Sequence, residues 1–379
     1  MITESKARKQ LELLPKRLEL AVETDAAMKL KALLTEFKNR NVSTMNVLMV
    51  GTGGSYPVAV FAKNAVEKMF RGPECEVHAT ASYPHTAFLN GVSQYQLVLG
   101  ISYAGTTPDI EKVANLCFQS HVPFCLLTGA DEQILTPQNA PKELRIISYY
   151  NEKDKTGRER GMISMASTLI PCAILYDASG QKSAFAHLTH VGCLKDAKER
   201  VEKITEEEWK KFAYSIRQHP IVHIVYDDLE APLATMLESM LIESGIASVV
   251  LHEKKNFSHG RYNLLFMQDF GMIINMANYR EESENDTTKN PTKEVCLTYA
   301  TEYERLLSEC LVEACKRRHS IYYEFRGLHK ADMTWNFERL CQLPYFVTAL
   351  GEALDIDISK PLNPIPRVAN DLYTYKGEI

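Results

Sequence analysis

Hydrophobic residues along the chain follow two patterns, short apolar runs and longer segments with helical spacing. Between Leu11 and Leu34 the leucines recur near helical spacing, which predicts helices over the first forty residues. Pro15 predicts a break or a kink, so we expect two helices rather than one. The apolar runs that follow are typical of strands buried on both faces of a parallel sheet. They lie at 46–50, 75–80, 96–102, 123–129 and 144–150, and helical segments lie at 57–70, 108–120 and 161–176.

The same alternation restarts after the polar stretch DASGQKS at 177–183. A charged helical segment over 190–217 comes first. Further strands are predicted at 221–226, 247–251, 271–276 and 320–325, and further helices at 231–246, 300–317 and 333–353. Strands that alternate with helices predict an α/β fold made of two doubly wound units with parallel sheets. The predicted organisation is N-terminal helices at 1–45, a first unit at 46–185, a second at 190–354, and an extended tail at 355–379.

Composition narrows the class of protein. The chain has 379 residues, 45% of them hydrophobic, and a formal net charge of −5, which argues against general nucleic-acid binding because that needs clustered positive charge. No apolar run reaches the ~20 residues of a transmembrane helix, and the charged N-terminus does not resemble a signal peptide. The nine cysteines are scattered without a CxxC pair, so we expect reduced thiols in a cytoplasmic protein and no metal site.

A glycine-rich segment, GTGGSYP at 51–57, follows one predicted strand and precedes a helix. Gly53 and Gly54 would let backbone N–H groups approach an anion, Ser55 adds a hydroxyl donor, and the helix presents its positive end. The segment is neither a Walker loop nor a dinucleotide-binding fingerprint. A tight turn with no ligand remains the alternative.

A second loop, ISYAGTTPD at 101–109, has the same setting between a strand and a helix. Ser102, Thr106 and Thr107 supply hydroxyl groups. Two such loops in one sheet favour an anion or phosphate site at the carboxyl edge, where open α/β sheets bind ligands.

The two loops resemble the phosphate-binding loops of the SIS (sugar isomerase) domain, with its GTS-Y and S-x-S-G-x-T signatures. The resemblance extends over nearly the whole chain as two flavodoxin-like SIS subdomains, as in the isomerase module of glucosamine-6-phosphate synthase, fructosamine-phosphate deglycases and aminosugar-phosphate deaminase/isomerases. It implies that Ser55, Ser102 and Thr107 hold a substrate phosphate, with Tyr103 in the same loop. Many members have serine where this chain has Ala104, so one hydroxyl contact is missing or comes from Thr106.

A third segment, ERGMISMAST at 159–168, is similar to the family's E-x-G-V-A-S-T segment. Ser164 falls where the family places a serine that contacts the substrate. A serine that caps or packs a helix is the alternative.

The acid–base candidates lie in the second half. The segment MLIESGIASVVLHEKKNFSHGR at 240–261 resembles the family segment that ends in H-G-P, and Glu243 and His259 have the family's spacing of 16 residues. Glu243 lies on an otherwise apolar helix face, which should raise its pKa toward that of a useful general base. A buried, paired glutamate and a histidine that caps a turn are the alternatives. Lys254, Lys255 and Arg261 could bind a further acidic group, or could simply be solvated.

Two departures from the family concern lysines. A family lysine three residues before the catalytic glutamate is Met240 here, and Arg367 stands near the place of the lysine in the family tail. Arginine cannot form a Schiff base but can stabilise negative charge. Lys360 or Lys376 could also take that place. The second half's own loop, YDDLEAP at 226–232, lacks glycine and would repel a phosphate, which predicts one phosphate site per chain.

The resemblance implies an isomerase, deglycase or deaminase that acts on a phosphorylated sugar or aminosugar. Glu243 would move a proton between C1 and C2 through an enediol or enamine, and His259 would assist ring opening or proton shuttling. This chemistry needs no cofactor and no metal. The family also implies a homodimer in which His259 reaches the neighbouring subunit's site. The alternative is a regulator that binds a sugar phosphate without turnover and acts through a protein partner, with neither nucleic acid nor membrane involved.

Overall fold

The computed structural model describes residues 6–40, 43–70, 76–135, 144–156, 159, 163, 165–180, 190–281, 297–328 and 333–359. The described part begins with two helices, α1 Lys6–Val22 and α2 Ala26–Lys38. Two helices were predicted and two are present, but a break at Pro15 is wrong, because α1 continues through the proline and ends at Val22. Leu14 and Leu18 are fully buried on this helix. Their packing offsets the hydrogen bond that the proline removes.

The first sheet contains five parallel strands in the order β2-β1-β3-β4-β5. They are β1 Thr44–Val50, β2 Glu76–Ser82, β3 Leu97–Ile101, β4 Phe124–Thr128 and β5 Leu144–Ser148. All five were predicted from the apolar runs. After β1 the chain adds β2 on one side and then crosses to add β3 on the other. The switch point of the sheet therefore lies between β1 and β3, where open α/β sheets bind ligands.

Helices follow the strands of this sheet. They are α3 Tyr56–Met69, α4 Pro84–Asn90, α5 Pro108–Gln119, α6 Glu132–Leu135 and α7 Ala166–Ala178. The sequence did not predict α4 and α6, which are short, and α4 buries only Pro84 and Ala87. Helix α7 begins at Ala166, not at the predicted residue 161.

The second sheet has four parallel strands in the order β10-β8-β6-β7, and β9 pairs with β8 in the antiparallel sense. The strands are β6 Ile221–Tyr226, β7 Ser248–Glu253, β8 Met272–Glu281, β9 Leu297–Tyr299 and β10 Ile321–Leu328. The sequence predicted all of these except β9, which has three residues. The two sheets flanked by helices confirm the predicted fold class.

The helices of the second half are α8 His190–Glu202, α9 Glu206–Gln218, α10 Ala231–Glu243, α11 Lys254–Asn256, α12 Tyr262–Met267, α13 Glu302–Arg318 and α14 Met333–Ala353. The helical segment predicted over 190–217 divides into α8 and α9. Thr205 accepts a hydrogen bond from the Glu208 N–H and Glu208 bonds back to the Thr205 N–H, so a capping box starts α9.

The two halves share one large hydrophobic cluster that extends from Ala7 to Ile358. Helix α10 of the second half packs against α3 and against the turn at Gly53–Ser55, and α14 packs against α7 and α8. This packing places the second half directly beside the switch point of the first sheet. The predicted domain boundaries themselves remain predictions.

Seven cysteines lie in the described residues, and all are free thiols, six of them buried. Burial raises the pKa of Cys117 and Cys125 to about 12, so these thiols stay protonated. Cys75 and Cys296 lie outside the described residues. Among the helices of the described part, none is long and apolar enough to cross a membrane.

Candidate active site

The turn after β1 is built so that only glycine fits at its start. A Cβ atom on Gly51 would lie 2.3 Å from the carbonyl oxygen of Ser55, and Gly53 has a φ of +53°. The Ser55 N–H donates to the Thr52 carbonyl at 3.0 Å, and α3 begins directly afterwards at Tyr56. Within the described residues the partly buried Ser55 hydroxyl has no hydrogen-bond partner, so it is free to meet a ligand.

The loop after β3 brings two of the predicted hydroxyl groups together. Ser102 Oγ and Thr107 Oγ1 lie 2.7 Å apart, and the Gly105 N–H donates to Ser102 Oγ at 3.2 Å. Gly105 has a φ of +73°, which favours glycine. Of the two hydroxyl protons, one serves the bond within the pair, which leaves the other to donate to an anion. Thr106 is exposed on the same loop.

Tyr103 connects this loop to the end of β4. A Cβ atom on Gly129 would lie 2.8 Å from the Tyr103 ring, so the ring packs directly against that glycine. The Tyr103 carbonyl also accepts hydrogen bonds from the Gly129 N–H and the Thr128 hydroxyl. Burial raises the pKa of Tyr103. The described contacts of this predicted substrate-binding residue are therefore with the protein itself.

Glu159 is a residue that sequence reasoning missed. Its carboxylate accepts hydrogen bonds of 2.8 Å from the N–H groups of Met165, Ala166 and Ser167 and so fixes the start of α7. Thr168, one turn later, donates to the Gly54 carbonyl at 3.1 Å. The protein's own carboxylate thus satisfies the positive end of α7. Ser164, the serine predicted in this segment, lies outside the described residues.

Glu243 is the last residue of α10 and is partly buried. Burial raises the pKa of its carboxyl group, and a hydrogen bond of 2.8 Å from the Ser239 hydroxyl lowers it by less. In the described part of the chain, Glu243 has no cationic partner, which is not the arrangement of a structural ion pair. Its environment is that of a carboxylate with increased basicity.

A second carboxylate on α10, Glu238, lies near Tyr56 and Tyr83, next to the turn after β1. The rings of Tyr56 and Tyr83 stack with centroids 3.8 Å apart, directly beside Ser55. Burial raises the pKa of both tyrosines, and the charge of Glu238 raises each further. Burial also raises the pKa of Glu238 itself. No sequence signal marks Glu238, because its position depends on how the two halves pack.

His259 and Arg261 lie on the one-turn segment Phe257–Arg261, where Gly260 has a φ of +116°. Both side chains are exposed, and His259 has no bonded partner among the described residues, so it does not cap this turn. The predicted basic cluster is not intact as an exposed surface, and the role of Lys255 and Arg261 stays a prediction. Lys254 is 2% exposed and binds buried carboxylates, so it cannot meet a ligand, whereas Lys255 is exposed.

The remaining predicted positions are those that replace the lysines of the family. Met240, which stands where the family has a lysine, is 2% exposed and belongs to the core. Arg367, Lys360 and Lys376 lie outside the described residues. Within the described ranges, no group of three or more His, Cys, Asp or Glu side chains could hold a metal ion.

Residues 40–170 match the family model of the SIS domain. The chain also matches solved structures of the same overall fold. The C-terminal domain of glucosamine-fructose-6-phosphate aminotransferase from Francisella tularensis is 16% identical, with a TM-score of 0.62 over 95% of this chain and 99% of that one. Tagatose-6-phosphate ketose/aldose isomerase from Escherichia coli is 11% identical, with a TM-score of 0.61 over 96% and 98%.

Glucosamine-6-phosphate deaminase from Thermotoga maritima is 13% identical, with a TM-score of 0.51 over 90% of this chain and 97% of that one. At these identities the likeness shows the fold. No curated protein matches the sequence.

Proposed function

Because residues 40–170 match the SIS-domain family model, we propose that the chain binds a phosphorylated sugar or aminosugar and transfers a proton between C1 and C2 of that substrate. The observation that carries the proposal is the Ser102–Thr107 hydroxyl pair, 2.7 Å apart, at the switch point beside the Gly51–Ser55 turn. Hydroxyl donors, glycine-turn amides and the N-terminus of α3 form a set of groups suited to a phosphate.

Several residues would donate hydrogen bonds to the substrate phosphate in this proposal. Ser55, Ser102 and Thr107 donate from their hydroxyl groups, and the backbone at Gly53 and Gly54 approaches the phosphate oxygens. Thr106 is exposed at the loop and can replace the hydroxyl that Ala104 lacks. The solved structures with this fold include proteins named for sugar-phosphate isomerisation and aminosugar-phosphate deamination, which supports a sugar phosphate as the ligand.

Glu243 acts as the base in the proposed reaction. Its pKa is raised by burial, so at neutral pH its carboxylate is a better proton acceptor than an exposed glutamate. Removing a proton from C2 and returning it to C1 passes through an enediol, or through an enamine where nitrogen is attached. Aldose–ketose isomerases, deglycases and deaminases share this step and differ in what leaves from the sugar.

His259 completes the site from a partner subunit. Its side chain is exposed on its own chain and has no contact with the described hydroxyl loops. In a homodimer it would reach the neighbouring site and assist ring opening or proton shuttling. Arg261 lies on the same exposed turn and would approach an acidic group of that ligand, and Arg367 would stabilise negative charge.

Binding without turnover is the second candidate function. The buried Met240 leaves Glu243 without the neighbouring lysine of the family, and no described cation stands beside this carboxylate. A regulator of this kind would bind sugar phosphates equally well. It would not exchange their C1 or C2 protons with solvent.

A thermal-shift screen over sugar phosphates and aminosugar phosphates tests the proposal, with each unphosphorylated sugar as its control. We expect phosphorylated ligands to raise Tm and the unphosphorylated sugars to leave it unchanged, since a ligand at 100 times its Kd stabilises by about 2.7 kcal/mol. Equal shifts from sugars with and without phosphate, or no shift from any of them, would contradict the proposed phosphate site.

A further inference from the structure

The carboxyl edge of the second sheet holds a buried cluster of charges. Lys254 directly follows β7, and its Nζ lies 2.9 Å from Glu304 Oε1, 3.4 Å from Glu230 Oε2 and 2.6 Å from the Met276 carbonyl oxygen. Arg339 of α14 lies 3.3 Å from Glu230 Oε1. The four charged residues are at most 6% exposed. We refer to Glu230, Lys254, Glu304 and Arg339 as the buried charge cluster.

The cluster occupies the place in the second sheet that corresponds to the phosphate loops of the first. Asp227 and Glu230 follow β6, the first strand of that sheet, and Asn278 lies near the end of β8. Asn278 Nδ2 donates to Asp227 at 3.3 Å and lies 3.5 Å from Glu304. At this edge the protein's own ammonium and carboxylate groups bind each other. The edge is therefore closed to a ligand phosphate, whereas the first sheet keeps free hydroxyl groups.

The charges of the cluster balance within the protein. Lys254 and Arg339 overcome the effect of burial and hold the pKa of Glu230 at about 2. Burial and the neighbouring Glu230 raise the pKa of Asp227 to about 7, so Asp227 contributes little additional negative charge below neutral pH. Two cations then face two carboxylates. Removing one partner alone from such a cluster strongly destabilises the fold, because it leaves an uncompensated buried charge.

Lys254 also holds the backbone of the segment that carries His259. Its carbonyl oxygen accepts hydrogen bonds from Tyr303 Oη at 2.7 Å and from Ser258 Oγ at 3.0 Å. Ser258 and Tyr303 are themselves 2.6 Å apart. The segment 254–261 is thus fixed at its first residue by a buried side chain and by two hydroxyl groups. Phe257 is also buried, in a hydrophobic cluster with Val225 and Phe270, whereas His259 and Arg261 are exposed.

We propose that Lys254 is a positioning residue, whose buried ammonium anchors segment 254–261 to the second sheet and thereby sets the place of His259. The proposal rests on the proposed function for the role of His259, but the anchoring itself does not depend on any substrate. The buried ammonium occupies the carboxyl edge of the second sheet and fixes the backbone of the segment that carries His259.

Hydrogen exchange of Lys254→Met tests the anchoring without substrate. We expect amides of residues 255–262 to exchange about tenfold or more faster than in the wild type, while α3 and α5 stay protected, because the segment then opens locally. Lys203→Met is the matched control, since Lys203 is exposed between α8 and α9 and has no side-chain partner in the described part of the chain. It should leave exchange unchanged.

Tyr303→Phe keeps the test decisive if Lys254→Met does not fold. This variant removes only the phenol hydroxyl at a side chain that is 40% exposed, and it should speed exchange in the same segment by a smaller factor. The proposal is overturned if Tyr303→Phe leaves exchange over 255–262 unchanged and Lys254→Met either does the same or fails to fold. Faster exchange confined to the segment would support it.

Kinetics separate positioning from a purely structural role once a substrate is known. Lys254→Met should lower kcat about 10–100-fold per folded molecule with little change in KM, because misplacing a catalytic group by about 1 Å costs that much. The double variant Lys254→Met/His259→Ala should be no slower than His259→Ala. Additive losses would overturn the positioning role. If the proposed function is wrong, the wild type will neither bind nor turn over sugar phosphates. Lys254→Met would still speed hydrogen exchange over 255–262, so the two failures are distinguishable.

Discussion

The hydroxyl groups of Ser102 and Thr107 are donors that the folded loop already orders. They bind each other at 2.7 Å, and Ser102 is 3% exposed, so neither group needs to be immobilised when an anion arrives. Groups that are held in place before binding lose little entropy on binding. This makes Ser102 the single position at which phosphate affinity should be most sensitive to substitution.

Ser102→Ala should therefore weaken binding of inorganic phosphate and of sugar phosphates by about 10–100-fold, since a hydrogen bond to a charged group contributes about 1.5–3 kcal/mol. Isothermal titration calorimetry measures this directly. The control is Ser93→Ala, an exposed serine before the amino end of β3, which should bind as the wild type does. Equal affinity of Ser102→Ala and the wild type would remove Ser102 from the site.

Single residues were predictable where a short loop alone decides their position. Ser102 and Thr107 lie in one strand–helix loop, so local geometry brings them together. Lys254, in contrast, stands beside the exposed Lys255 and looks like any basic surface residue in the sequence. Its burial depends on Glu230 and Glu304, which come from other elements. No single-sequence pattern reports such a contact.

Helix α1 shows, at the scale of an element, how packing can override a local signal. Pro15 lies inside the helix and removes one backbone hydrogen bond, yet the helix runs from Lys6 to Val22. The buried leucines of α1 pack against α7 and hold the helix together. The proline should therefore still weaken α1 although it does not end it.

Pro15→Ala should stabilise the protein by about 1–3 kcal/mol, because alanine restores the missing N–H and is about 3 kcal/mol more favourable inside a helix. Pro84→Ala is the control. Pro84 stands in the first turn of α4, where no intrahelical N–H is lost, so this substitution should give no gain. Chemical denaturation of both variants measures the difference, and equal effects at the two positions would contradict this explanation.

Strands β6 and β7 carry a pair of buried histidines. His223 Nδ1 and His252 Nε2 lie 2.8 Å apart, and both residues are 2% exposed. Burial and the charge of His252 lower the pKa of His223 to about 4, and burial and Arg261 do the same for His252. Both imidazoles are therefore neutral in the folded protein at pH 6, whereas they are partly protonated in the unfolded chain.

This pair predicts a loss of stability in acid. Because the folded pKa lies below the unfolded value of about 6.5, the unfolded chain takes up protons first, and stability falls as pH drops from about 6.5 toward 4. Each histidine contributes at most about 2 kcal/mol of this loss at pH 5. His223→Leu/His252→Leu should flatten the dependence of Tm on pH over this range, whereas His78→Leu, at an exposed position, should not. A profile with the same slope in the double variant would contradict the assignment.

Long helices and apolar strands were predictable from the sequence, whereas short elements were not. Of the ten strands in the described residues, nine coincide with predicted apolar runs, and the tenth, β9, has only three residues. Helix α4 was missed for a related reason, since it buries two residues and shows no periodic face. Short elements gain their stability from neighbours that a local pattern does not contain.

At the scale of the whole molecule, the two sheets are similar in topology but carry different side chains at their carboxyl edges. The first sheet leaves hydroxyl groups free at its switch point, and the second fills the corresponding place with the buried charge cluster. Helix α10 of the second half carries Glu238 and Glu243 and packs against the Gly53–Ser55 turn of the first. The sequence predicts one phosphate site per chain, and only the folded chain reveals that Lys254 fills the corresponding edge of the second sheet with a buried ammonium.

A mixed dimer tests whether sites are shared between subunits. Ser102→Ala chains bind phosphate weakly, and His259→Ala chains lack the exposed histidine, so at substrate concentrations well below the KM of Ser102→Ala each homodimer should have little activity. Combining the two should restore one intact site per mixed dimer, with about a quarter of wild-type activity expected from random pairing of equal amounts. If mixtures stay inactive while both homodimers fold normally, His259 serves its own chain.

Deuterium exchange with Glu243→Gln most directly tests the central claim that the first half binds phosphate and the second half supplies the base. The variant keeps the shape of the side chain, so the sugar phosphate that binds the wild type should bind with similar affinity. Incorporation of solvent deuterium at C1 and C2, followed by NMR, should fall by about 10²–10⁴-fold. Exchange at the wild-type rate would contradict the claim, and retained exchange in Glu243→Gln with loss in Glu238→Gln would place the base at Glu238 instead.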